Sequence, residues 1–170
     1  MASGVLGLLA GAIQGVVAPR PSSPAAFESY LTIWLCTLAV ALLLNYGAVG
    51  IWLLRNHGRH AVEQSRLAGV AILPSILFGG SLTLALANAN AFHLLPGVWY
   101  GAYAVGLFAS RSLVPASVMT VAGAFGVASI ALLLPFSGFA LMWWVLPLGF
   151  GIGQIAIGMC LARERAEGWL

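Results

Sequence analysis

The sequence predicts an all-α protein: a polytopic transmembrane helical bundle with six spans, or five if the short first helix does not cross. The chain is 61% hydrophobic and 6% charged, whereas a soluble domain carries about a quarter charged residues. Its charges, seven arginines and four glutamates without lysine or aspartate, leave four long uncharged tracts. Those tracts are continuously apolar, unlike the alternating segments of about ten residues in membrane β-barrels. Backbone groups in lipid must therefore pair within helices.

The lengths of the uncharged tracts give the number of crossings, because a hydrocarbon core of about 30 Å takes roughly 20 helical residues. The first two tracts each accommodate one span, and the last two each accommodate two. Charged residues bound the tracts, which precede Arg20 and run from Glu28 to Arg55, from Arg66 to Arg111 and from Arg111 to Arg163. We expect a single integral membrane domain over residues 1–170, with spans at about 3–18, 30–54, 68–90, 96–113, 116–134 and 140–161.

Each double tract must contain a chain reversal. The first is expected at residues 88–97, where Asn90, His93 and Pro96 supply turn chemistry, and the second at the ProPheSerGly stretch 135–138.

The first span is short and lacks a basic flank, so we expect an uncleaved helix there. A cleaved signal or a re-entrant segment is the alternative.

The arginines predict the orientation, because cytoplasmic loops of membrane proteins carry an excess of basic residues. Six of the seven arginines lie on one side of the predicted bundle, which we therefore assign to the cytoplasm together with both termini. Arg20, Glu28 and His93 lie on the opposite, outer side. The other six arginines share the cytoplasmic side: Arg55, Arg59, Arg66, Arg111, Arg163 and Arg165. Amphipathic rings prefer the membrane interface, and six are expected at the outer one: Tyr30, Trp34, Trp99, Tyr100, Trp143 and Trp144.

Small residues recur at four-residue spacing in several predicted spans. Helices in lipid associate through close backbone approach at such residues, so we expect tight packing within the bundle. An outward stripe that docks on another subunit is the alternative, with the first helix as the favoured docking face. The glycines predicted at helix contacts are Gly7, Gly11, Gly15, Gly97, Gly101, Gly106, Gly149 and Gly153.

Polar residues within the spans supply few candidate sites. Counted from the cytoplasmic ends, Asn45, Ser75 and Gln154 lie at similar depth, about 10 to 14 Å in, on three helices. They are expected to form interhelical hydrogen bonds, and the alternative is a small polar pocket for a substrate or a cofactor head group. Cys36 and Cys160 should lie about 20 Å apart in depth, too far for a disulfide.

His93 is the candidate cofactor-binding residue. Beside the outer turn it either lines the mouth of a small-ligand site or ligates a metal-centred macrocycle, although a hydrogen-bonded turn residue is the expected role. No metal site is predicted, because Gly58 interrupts the spacing of His57, His60 and Glu63. No catalytic residue is predicted either, since Ser81 has no base on another span at its depth.

The stretch SLTLALANANAFHLLPGVWYGAYAVG and the closing LGFGIGQIAIGMCLARER carry a resemblance. They resemble an uncharacterised family of small multi-span bacterial membrane proteins of the acidobacterial type, and the most specific element is LeuProGly followed by Trp99 and Tyr103. The resemblance implies six spans and a bacterial inner membrane, and it implies no activity. Relatives often carry a histidine where this chain has Gln154, so no imidazole chemistry is expected there.

These features predict that the protein is not an enzyme. No ionisable side chain lies well inside a span, which disfavours a proton-coupled pump. We expect a non-catalytic accessory subunit of a larger membrane complex, respiratory or photosynthetic, in contact with membrane lipids and other integral membrane subunits and not with nucleic acid. The alternative is a small-molecule transporter or substrate-capture subunit. No cofactor is predicted, and a bound lipid or pigment is left open.

Overall fold

The computed structural model describes residues 1–55, 59–134 and 138–166, and it confirms the all-α class. Six α-helices follow one another along the chain, with a 3-10 turn before the fourth and a π-helix before the sixth. They are α1 (Ala2–Val17), α2 (Pro24–Arg55), α3 (Arg59–Asn88), the 3-10 turn (Phe92–Leu94), α4 (Leu95–Ala109), α5 (Ala116–Leu133), the π-helix (Pro147–Gly153) and α6 (Gln154–Ala166).

Three of the described helices are long and apolar enough to cross a membrane, which makes this a candidate membrane protein. The qualifying stretches are Pro24–Ile51 of α2, Gly69–Asn88 of α3 and the whole of α5. Helices α1 and α4 have 16 and 15 residues. At 1.5 Å per residue each is about 24 Å long or less, shorter than a typical hydrocarbon core.

Proline and serine fix where α2 and α5 begin. α2 starts at Pro24, and the Ser23 hydroxyl accepts a hydrogen bond from the Ala26 backbone N–H at 3.3 Å. Serine is a preferred N-cap, and proline suits the first helical turn because its missing N–H would have no partner there. α5 likewise follows Pro115. As a result, α2 begins six residues before the start predicted at residue 30.

The first reversal lies where the sequence predicts it. Asn90 adopts a positive φ of 53° directly after α3, a conformation that asparagine tolerates better than most residues. The Ala91 N–H donates to the Leu86 carbonyl at 2.8 Å and the Asn90 N–H to the Ala87 carbonyl at 3.1 Å. This pair of bonds is a Schellman motif, which caps the free carbonyls of the helix end. Most of the second predicted reversal, residues 135–137, lies outside the described residues.

The last predicted span differs from the structure. Instead of a continuous helix from residue 140, the chain runs through turns and a bend from 138 to 144 before the helical segments begin. The Trp143 N–H donates to the Pro19 carbonyl at 3.1 Å rather than within a helix. Pro147 cannot donate to the preceding turn, and three glycines follow it at alternate positions, so this stretch favours an α-helix poorly.

Antiparallel helix pairs build the bundle. α4 packs most extensively against α5 and α3, and α1 packs against the π-helix and the first half of α2. Along the α3–α4 contact, Gly79 faces Ala102, and the Trp99 indole N–H donates to the Thr83 hydroxyl at 2.8 Å. The π-helix packs against α1, and its Gly149 and Phe150 contact Tyr100 of α4, while its Leu148 and Ile152 are exposed.

The six predicted outer aromatic residues differ in burial, and Trp99 is half-buried. Tyr30, Trp34 and Tyr100 are buried in the core of the protein, because their helix faces pack against other helices. Trp143 and Trp144 remain exposed. The two cysteines are free thiols, Cys36 exposed and Cys160 half-buried.

Candidate functional site

All eight glycines predicted at helix contacts lie against another part of the chain. The neighbours are close, so that an added Cβ at Gly7 would lie 2.9 Å from the backbone of Phe150. The pairs are Gly7 with Phe150, Gly11 with Pro147, Gly15 with Trp143, Gly97 with Leu133, Gly101 with Ser129, Gly106 with Ser75, Gly149 with Tyr100, and Gly153 with Phe125. The glycine face of α1, expected as the favoured docking face, is therefore covered by residues 143–151 of the same chain.

A buried amide joins α1, α2 and the turn before the π-helix. The Gln14 side chain is 0% exposed. Its Oε1 accepts a hydrogen bond from the Trp34 indole N–H at 2.8 Å, and its Nε2 donates to the carbonyls of Leu141 at 3.2 Å and Ala18 at 3.4 Å. Sequence reasoning missed this group, although Gln14 is spaced from Gly7 and Gly11 so as to share their helix face.

The predicted polar layer of Asn45, Ser75 and Gln154 has separate contacts in the structure. Asn45 is exposed, and its Nδ2 donates to the Ala41 carbonyl of its own helix at 2.8 Å. Ser75 is buried against Gly106 of α4. The contacts described for these residues therefore place Ser75 at the α3–α4 contact and leave Asn45 on the surface of α2.

Gln154 completes an aromatic cluster at the centre of the bundle. Its Nε2 donates to the Tyr103 hydroxyl at 2.6 Å. The Tyr103 ring lies 4.8 Å from the Phe125 ring and 5.5 Å from the Phe150 ring, measured between centroids. Tilted and edge-to-face rings at these separations attract one another. The cluster joins α4, α5 and the π-helix and has the character of a packed core.

One buried hydroxyl lacks a partner. The side chain of Tyr30 is 1% exposed, and its Oη has no hydrogen bond to any described residue. The ring stacks on Trp99, with centroids 6.0 Å apart and planes inclined by 3°. A buried polar group of this kind costs free energy unless a water or another group pairs with it.

His93 lines a cavity where three connections between helices meet. The imidazole is exposed in the 3-10 turn before α4. The Arg20 guanidinium donates to the Gly138 carbonyl at 3.3 Å, which joins the α1–α2 connection to the segment before the π-helix. We call this space, of about 540 Å³, the loop-end cavity; its lining is Arg20, Pro21, Ser22, His93, Gly138, Ala140 and Leu141.

The second half of α2 contacts few of the other described residues. Only 6% of the most apolar window of α2 is buried, and an added Cβ at Gly47 or Gly50 would meet nothing within 4 Å. We call residues 38–51 the exposed half of α2. The large apolar side chains exposed along it are Leu38, Val40, Leu43, Leu44, Tyr46, Val49 and Ile51.

The described residues contain no group of three or more metal-ligating side chains. The motif of His57, His60 and Glu63, considered for a metal from its spacing, lies outside the described side chains. Comparison with protein-family models, with curated proteins and with solved structures gave no match.

Proposed function

We propose that this protein is a non-catalytic integral membrane subunit that packs the exposed half of α2 against a helix of a partner subunit. The observation that supports this proposal is the surroundings of Asn45. Its amide lies among exposed apolar side chains, about 15 Å from the end of α2 at Arg55 at 1.5 Å per residue. That depth corresponds to the hydrocarbon core if α2 crosses the membrane.

The hydrogen bonds of Asn45 are incomplete among the described residues. An asparagine side chain has two N–H donors and one carbonyl acceptor. One N–H donates to Ala41, and the described residues supply no other partner. Lipid tails cannot hydrogen-bond the remaining groups, whereas a polar side chain on a neighbouring helix can, typically for about 1 to 2 kcal/mol.

We also propose that all six helices cross the membrane. The shorter helices α1 and α4 would then span it packed against the longer helices around them. This arrangement is supported by the loop-end cavity, where the α1–α2, α3–α4 and α5–α6 connections meet. At the other end the Ser117 hydroxyl donates to Glu164 at 3.2 Å. The positive-inside rule then places Arg66, Arg111 and both termini in the cytoplasm. We also propose that the protein lies in a bacterial inner membrane and belongs to the family of small multi-span membrane proteins that its sequence resembles.

Photo-crosslinking in the native membrane tests the partner surface. A photoreactive residue replaces Val49, which is 40% exposed on α2 one helical turn after Asn45, and in a control it replaces Val127, which is 70% exposed on α5. We expect a protein adduct from position 49 that falls roughly fivefold or more with Asn45→Leu. An adduct that is insensitive to Asn45→Leu, or equal adducts from both positions, would contradict the proposal.

A substrate-capture subunit is the second candidate function, and the loop-end cavity is the observation that favours it. Pockets for small ligands typically have volumes of about 300 to 1,000 Å³, and this cavity falls within that range. A binding pocket formed by Asn45, Ser75 and Gln154 has less support, because Asn45 lies on the surface of α2 while Ser75 packs against α4.

A further inference from the structure

The loop-end cavity presents hydrogen-bond donors that suit an anion. The Arg20 guanidinium carries five N–H donors, and one contact, to the Gly138 carbonyl, accounts for only part of them. The His93 imidazole can donate in either protonation state, and the Ser22 hydroxyl adds a third donor group to the lining. Phosphate is an anion with several acceptor oxygens, and arginine binds it with strong charge-assisted hydrogen bonds.

No described carboxylate opposes an anion in this cavity. The carboxylate of Glu28 lines a separate groove with Ile13 and Val17, between α1 and α2. Glu164 accepts a hydrogen bond from Ser117 at the opposite end of the bundle. The described part of the cavity lining therefore has a net positive charge. The amino-terminal end of α2 begins two residues after Ser22 and adds to the positive potential.

Exposed aromatic rings place this cavity at head-group level. Phe139, Trp143 and Trp144 are exposed on the segment that supplies Gly138, Ala140 and Leu141 to the lining. The rings of Phe139 and Trp144 stack with centroids 5.9 Å apart. Tryptophan concentrates where the hydrocarbon of a bilayer meets its head groups, and the phosphates of lipids lie at that level.

We infer that the loop-end cavity binds the phosphate of an anionic lipid head group. Arg20 provides the principal contact, and His93 and Ser22 donate the accompanying hydrogen bonds. The volume of about 540 Å³ is sufficient for a head group. The loop-end cavity lies at the amino-terminal end of α2, whereas the proposed partner surface is the exposed half of α2 at residues 38–51. The lipid site therefore does not depend on the proposed subunit function.

Binding of a short-chain lipid to the purified full-length protein in a neutral detergent tests the inference. The probes are dihexanoyl phosphatidylglycerol, dihexanoyl phosphatidylcholine and glycerol 3-phosphate, titrated by native mass spectrometry. We expect phosphatidylglycerol to bind most tightly. Arg20→Gln should weaken its binding about tenfold, as expected for loss of a charged hydrogen bond. Arg111→Gln, which removes an exposed arginine near the opposite end, should leave the affinity unchanged.

Comparison of the variants and the probes distinguishes a lipid head group from a soluble phosphate compound as the bound anion. Equal affinities for the Arg20→Gln and Arg111→Gln variants would overturn the site. Glycerol 3-phosphate binding as tightly as phosphatidylglycerol would overturn the lipid assignment and favour the substrate-capture candidate. Arg20→Lys keeps the positive charge, and lysine also binds phosphate as a point charge, so this variant should retain affinity within about threefold even if Arg20→Gln folds poorly. Loss of binding in the lysine variant as complete as in the glutamine variant would also count against the site.

Discussion

The indole N–H of Trp34 donates a 2.8 Å hydrogen bond to the Oε1 of Gln14, and both side chains are buried between α1 and α2. Trp34 lies in the first half of α2, the part of this helix that contacts the rest of the protein. The bond is therefore one of the anchors that hold α2 to the bundle while its second half remains exposed.

Replacing Gln14 with leucine should destabilise the protein by about 1 to 3 kcal/mol. The substitution leaves the buried Trp34 N–H and the partly buried Leu141 carbonyl without their partner, and an unsatisfied buried donor or acceptor costs about this much. The measurement is unfolding of the purified protein in mixed micelles, followed by circular dichroism. Trp34→Phe is the paired variant. The double variant should lose less than the sum of the two, whereas simple additivity would show that the bond is not energetically coupled.

Alanine at Gly11 should destabilise the bundle, and alanine at Gly50 should not. A Cβ at Gly11 would overlap the ring of Pro147, while one at Gly50 would meet no atom within 4 Å. Overpacking of this kind typically costs about 1 to 3 kcal/mol, whereas an exposed helical glycine replaced by alanine gains up to about 1 kcal/mol in helix propensity. Thermal unfolding in the same detergent gives both values. Equal effects at the two positions would refute the contact between α1 and the π-helix.

Two tyrosine-to-phenylalanine substitutions should differ in their effect on the free energy of unfolding. Tyr30→Phe removes a buried hydroxyl that has no described partner, so the unfolding free energy should stay unchanged or rise by about 1 kcal/mol. Tyr100→Phe removes a hydroxyl that donates to the Val145 carbonyl and should cost about 1 kcal/mol. A loss of stability in the Tyr30 variant would instead indicate that a water or a bound molecule pairs with this hydroxyl.

Thiol labelling should show whether α4 crosses the membrane. In a background with Cys36→Ser and Cys160→Ser, single cysteines replace Ser22 before α2 and Ser112 after α4, which are both exposed. Three helices separate them, so three crossings place them on opposite sides. A membrane-impermeant maleimide applied to intact cells should label position 22 alone and should reach position 112 only after permeabilisation. Labelling of both positions in intact cells would mean that one of the three helices does not cross.

Sequence patterns predicted the glycines at helix contacts and the turn at Asn90, but they did not predict which polar side chains meet. The turn at Asn90 follows from local chemistry that is visible in the sequence. The layer of Asn45, Ser75 and Gln154 was predicted from depth alone, and depth gives the position of a residue along a helix axis without the rotation about it. Rotation depends on tertiary packing, and the insertion of a π-helix directly before Gln154 changes it further.

The sites missed by sequence reasoning have a similar physical cause. Gln14 is a single polar residue in a short apolar helix, and its partners lie 20 and 127 positions away along the chain. The loop-end cavity likewise depends on Arg20 reaching Gly138, a contact between segments 118 residues apart. Charge spacing indicates that both segments lie on one side of the membrane, but it does not determine which of their atoms meet.

The contact between α1 and the π-helix has a consequence for the order of assembly during synthesis. Gly11 leaves the ribosome well before Pro147, its neighbour in the folded protein. At about 5 to 20 residues per second the delay is on the order of 10 s. Throughout this interval the glycine face of α1 has no partner from its own chain. A helix from another protein that entered this groove first would compete with residues 143–151, so rapid synthesis of the segment up to residue 151 favours the correct pairing.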